Sequence, residues 1–113
     1  MFVGVLKLEF HIPHARSLKD KRAVVRRFRD RVRARFDVSI AEVGQGDLLQ
    51  SATFGVACVS SDATICDSVL AKVAQAAALQ EDAVLVSRSS ELVPFGDELY
   101  EGASPLVDDE DDR

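Results

Sequence analysis

Apolar and polar residues alternate from Phe2 to Ile12. Phe2, Gly4, Leu6, Leu8, Phe10 and Ile12 fall on one side, and Val3, Val5, Lys7, Glu9 and His11 on the other. A period of two predicts a strand with one apolar face. The period changes after Pro13. From Leu18 to Phe36 there is no Gly or Pro, and Leu18, Val25, Phe28, Val32 and Phe36 gather in one sector when successive residues turn by about 100°. Ser17, with Asp20 three residues later, has the spacing of a capping box. These signals predict a helix over 18–36. Alternation returns over 36–43, where Val38 and Ile40 share a face. Gly44-Gln45-Gly46-Asp47 then reads as a turn. A third strand is predicted over 52–59, with Phe54, Val56 and Cys58 on one side. Ser60-Ser61-Asp62 offers caps for a second helix over 63–79, whose apolar stripe is expected at Ile65, Val69, Val73 and Ala76 or Ala77. A fourth strand is expected over 83–90, with an extension to Val93.

The order βαββαβ predicts an α+β, ferredoxin-like fold: a four-stranded antiparallel sheet with two helices on one face. Residues 1–96 are expected to form this single domain. The other sheet face would carry Val3, Val5, Lys7, Glu9, Thr53, Gly55 and Ala57, a partner surface or dimer interface. After Pro94 the composition shifts to Gly, Pro, Ser and acid and ends in Asp108-Asp109-Glu110-Asp111-Asp112. Residues 97–113 read as a disordered acidic tail.

Charge changes this picture. The stretch 16–35 holds ten of the fourteen Lys and Arg and only two acids, a formal +8 in a chain of net −5. Lys19, Arg22, Arg26, Arg29 and Arg33, spaced 3, 4, 3 and 4, form a stripe beside the helix's apolar face, and Arg16 precedes it. Like charges at i,i+4 repel by roughly 0.2–0.5 kcal/mol per pair, a cost a polyanion would relieve. Three readings stand open: an anionic partner, a solvated Arg-rich face, or a clamp by the acidic tail. The central strands carry Val3, Val5, Ala57 and Val59 where RNA-binding sheets place stacking aromatics, so any RNA contact is expected at backbone and shape.

Candidate chemistry is sparse. His11-Ile12-Pro13-His14 lacks the helical spacing of a zinc pair, and Cys58 and Cys66 match neither a redox pair nor a zinc knuckle. The two thiols are expected to be free and buried or half-buried. There is no GxSxG, no P-loop and no GxGxxG after a strand. Neither catalytic residues, a metal site nor a cofactor is expected. No run approaches the roughly 20 apolar residues of a membrane-spanning helix. The first residues read as a strand rather than a signal peptide, which favours the cytoplasm.

The segments Ile12-Pro13, Ala15 to Arg22 and Arg35 to Val43 resemble the YlxP-like family of small bacterial proteins. Asp47-Leu48-Leu49-Gln50 and Gly55 to Ser60 extend the likeness, which covers roughly residues 2–92. Asp37 and Leu49 stand where the family pattern usually has Asn and Trp. The resemblance implies a ferredoxin-like domain of unknown function. It also implies a link to translation or ribosome assembly, because family genes often lie beside genes of those processes. The expected function is thus a non-enzymatic cytoplasmic protein binding RNA or ribosomal particles through Arg16, Lys19, Arg22, Arg26, Arg29 and Arg33. The alternative is a protein-interaction or dimerisation module using the open sheet face.

Overall fold

The computed structural model describes residues 1–44 and 48–96. Strand β1 (Phe2–His11) leads to helix α1 (Leu18–Arg35). Strands β2 (Ser39–Glu42) and β3 (Ser51–Ser60) follow, then helix α2 (Ala63–Ala78) and strand β4 (Val84–Pro94). The sheet order is β2-β3-β1-β4, with every pairing antiparallel. This is the ferredoxin-like α+β fold. The expected acidic tail, residues 97–113, lies outside the described residues.

Each helix starts where a side chain satisfies free backbone donors. Ser17 Oγ accepts from the Asp20 N–H at 3.1 Å, while the Asp20 carboxylate accepts from the Arg16 N–H at 3.1 Å. Asp62 caps α2 by accepting from the Thr64 N–H at 2.9 Å. Phe36 ends α1, its N–H still donating to the Val32 carbonyl, so β2 starts at Ser39 and not at Phe36. β4 runs to Pro94, opposite Phe2, and Phe95 N–H donates to the Met1 carbonyl at 2.8 Å. A bulge opposite Glu9 and Phe10 accommodates Val86.

The alternating side of β1 forms the floor of the core. Leu6, Leu8, Phe10 and Ile12 are buried there with Phe54 and Val56 of β3 and with Val25, Phe28 and Val32 of α1. Two expectations need correction. Leu18 is 39% exposed, because it sits in the first turn of α1, whereas Lys21 is 2% exposed and occupies the core face. The buried line of α2 is Cys66, Leu70, Val73, Ala74 and Ala77, while Ile65 faces solvent. The cause is the close approach of α2 to β1. A Cβ placed on Gly4 would lie 2.8 Å from Leu70 Cδ1 and 3.5 Å from Cys66 Cβ. With no side chain at Gly4, Leu70 and Cys66 of α2 pack directly onto the backbone of β1.

Cys58 and Cys66 are both free and buried. Each Sγ contacts the other residue's carbonyl oxygen at 3.8 Å. Burial, helped by the contact with Cys66, pushes the Cys58 thiol up from 9.0 to about 11. The folded state therefore holds a proton that the unfolded chain releases near pH 9. Stability contributed below that pH is lost as the pH climbs toward 11, by about 2 kcal/mol. Urea unfolding of wild type and Cys58→Ala at pH 8, 9.5 and 11 checks this, since the drop should shrink in the variant.

Candidate nucleic-acid interface

Helix α1 lies against the sheet with Val25, Phe28 and Val32 inward, which fixes the direction of every cation on it. Arg29 is nearest the core face and is half-buried, its Nε 3.4 Å from Asp30 Oδ1. Arg33 donates to the Ile40 carbonyl of β2 at 3.3 Å. On the opposite flank, Arg27 pairs with Asp82 at 2.6 Å and Arg31 donates to Gln80 Oε1. The Arg35 guanidinium lies 5.0 Å from the centre of the Phe36 ring.

The start of the helix is different. The side chains of Arg16, Lys19, Arg22 and Arg26 are exposed and make no hydrogen bond or ion pair with a described residue. The six residues expected to bind thus divide. Arg29 and Arg33 have protein partners, whereas Arg16, Lys19, Arg22 and Arg26 point free charge at solvent. Lys19 to Arg26 spans about 10 Å along the helix axis at 1.5 Å per residue. Such a row can hold several anionic oxygens by charge-assisted hydrogen bonds.

Two residues that periodicity missed brace this end. Lys21 reaches inward, its Nζ donating to the Leu48 carbonyl at 2.7 Å and lying 3.3 Å from Glu42 Oε2. Gln50 Nε2 donates to the Pro13 and Ala15 carbonyls, each at 3.2 Å. The Gln50 carbonyl in turn accepts from the Ile12 N–H at 3.0 Å and lies 3.1 Å from His11 Nδ1. The β2–β3 connection is therefore tied to the β1–α1 loop by Gln50 and to α1 by Lys21. Leu18, Leu48 and Leu49 stay partly exposed around the tie. A shallow depression of about 540 Å³ lies between Arg16, Leu48, Leu49 and Ser51. Lys21 could have been found from the sequence, because it falls about 60° from Leu18 on the wheel, inside the apolar sector. Gln50 had no periodic signal.

Among the described residues no three His, Cys, Asp or Glu side chains converge as a metal site would require. No helix among them is long and apolar enough to cross a membrane.

The chain is similar to the uncharacterized protein YlxP of Bacillus subtilis (strain 168), at 48% identity over 59 residues, covering 52% of this chain and 64% of that relative. The match thus spans less than two thirds of the relative's length. The model of the family described as "Protein of unknown function (DUF503)" matches residues 3–89, from β1 into β4, and the chain belongs to that family.

Proposed function

We propose that the protein is a non-enzymatic RNA-binding protein of the translation or ribosome-assembly machinery, holding phosphates along the first half of α1. The observation that supports this reading is the row of four cations, Arg16, Lys19, Arg22 and Arg26, without partners among the described residues. Arg22 and Arg26, four residues apart, form a like-charge pair that a phosphate would relieve, and Asp20 and Asp30 are the two acids of the helix. Recognition is by backbone and shape. The row has no aromatic side chain to stack on a base, and its cations suit phosphate oxygens.

The test is co-sedimentation of the full chain with ribosomal subunits, and binding to a single-stranded RNA, across a salt series. Four phosphate contacts give a slope of log K against log salt of about −3 for a single strand, or about a 50-fold loss between 50 and 200 mM. The triple variant Lys19→Glu, Arg22→Glu, Arg26→Glu is expected to lose binding while keeping its melting temperature. Arg33→Gln should change affinity little, because Arg33 is engaged with Ile40. Salt-insensitive binding, or binding retained in the triple variant, would overturn the reading.

A further inference from the structure

The sheet face away from the helices is uncovered. Val5 is 39% and Val59 63% exposed on it, and Val93 is also exposed. A trough of about 550 Å³ crosses this face, floored by Gly55, Ala57, Ala41 and Ser39 and edged by Val43, Lys7 and Glu91. The face is uneven only in its middle. There the β2–β3 half carries Ser39, Ala41, Gly55 and Ala57, and β1 carries Val5 and Lys7 with Glu91 of β4 beside them, while Val3, Val59 and Val93 form a level row at one end and Val43 and Thr53 stand at the other.

We propose that this face binds a second copy of the same chain, sheet against sheet, about a two-fold axis running along the strands between β3 and β1. Such an axis places Val5, Lys7 and Glu91 in the middle of each copy over the small residues of the other. Val5 pairs with Ala57 and Val3 with Val59 in the register of the sheet, so the rotation sets Val5 of one copy over Ala57 of the other and Val3 over Val59. The Lys7 stem then lies over Gly55, and Glu91 lies over Ser39 rather than over its own copy. The interface is isologous and self-complementary, as a closed dimer requires.

Charge and area agree with this occupant. Lys7 and Glu9 pair at 3.3 Å and Glu91 leaves the face with a formal −1, so it offers a polyanion nothing and an apolar surface of the same kind more. With strands about 4.8 Å apart and about 3.3 Å per residue, the face measures roughly 550 Å². Two copies then cover roughly 1,100 Å², just above what a specific interface needs. Both helices of each copy lie on the outside, so the dimer displays two α1 rows on opposite surfaces. The dimer itself does not depend on what those rows bind.

Sedimentation equilibrium of the full chain, without nucleic acid and up to about 0.5 mM, is expected to give twice the 12.3 kDa chain mass. Ala57→Arg places a cation beneath the partner's Val5 and should weaken association at least 100-fold with the circular dichroism unchanged. Val5→Asp, at a position already partly exposed, is the second variant should Ala57→Arg fail to fold. The Lys19→Glu, Arg22→Glu, Arg26→Glu variant should dimerise like wild type, which separates this face from the phosphate row. A wild-type monomer overturns the proposal, as does a dimer that survives both face variants. A chain that dimerises only after removal of residues 97–113 also overturns it, and would assign the face to that segment.

Discussion

Phe28→Ala is expected to lower the stability of the fold by about 4 kcal/mol. Phe28 is 2% exposed and stands at the meeting point of α1 with both central strands. Its ring centre lies 5.1 Å from that of Phe10 on β1 and 5.0 Å from that of Phe54 on β3. Phe10 and Phe54 are 5.8 Å apart, and all three contacts are edge-to-face. Truncation removes the ring's transfer free energy, leaves a cavity that two neighbouring rings cannot fill without turning, and deletes two aromatic contacts of about 0.5–1.5 kcal/mol each. For a domain near 100 residues the loss corresponds to a fall in melting temperature of roughly 15–30 °C. Phe28→Leu keeps most of the volume and should cost about half as much. Thermal unfolding followed by circular dichroism reads both. A drop of only a few degrees for Phe28→Ala would show that α1 is held by something other than this cluster.

The element order was legible because β1, β3 and α1 each bury one face, and the change from a period of two to one of 3.6 follows the chain. The end of β4 falls one residue beyond the expected extension to Val93, at Pro94, although the strand's middle gave no signal. Ser87-Arg88-Ser89-Ser90-Glu91 has no alternation, because an edge strand that the helices barely cover is exposed on both faces there. The second half of the expected α2 stripe, Val73 and Ala77, is buried, and the first half, Ile65 and Val69, is not. Cys66, Leu70, Val73 and Ala77 are spaced 4, 3 and 4, so the helix carries this apolar line beside the expected one, and the approach of Leu70 and Cys66 to Gly4 decides between them.

The candidate site shows the same division. Its charge was visible at once, since no fold is needed to see ten cations in twenty residues. Which cations are free was not visible. That depends on Asp82 and Gln80, which the fold brings to Arg27 and Arg31 from just past the far end of α2, and on the Ile40 carbonyl of β2, which turns back to Arg33. The fold thereby narrows a stripe to its N-terminal half. It also places that half on the side opposite the uncovered sheet face, so two surfaces of different chemistry can be occupied at once.

Lys21 joins the fold to the site, and its replacement separates two roles of positive charge on one helix. Its ammonium is buried between the Leu48 carbonyl and Glu42. Lys21→Ala strips the donor from both and empties the space of a four-carbon stem. Breaking a buried pair costs about 3–5 kcal/mol, and the 28% exposure of the Glu42 side chain lets water relieve part of that. A loss of about 3 kcal/mol is therefore expected in urea unfolding. Lys21→Met keeps the stem and loses only the head, so about 1–2 kcal/mol is expected. In both variants the amides of Leu48 to Ser51 should exchange faster, since the β2–β3 connection loses the Lys21 tie and keeps those of Gln50. The salt slope of RNA binding should stay as in wild type for Lys21→Met, because this charge points inward, whereas Lys19→Glu, two residues away, should flatten it. Equal slopes for these two variants would mean that the direction of a side chain on α1 does not decide what it binds, and the phosphate row would lose its basis.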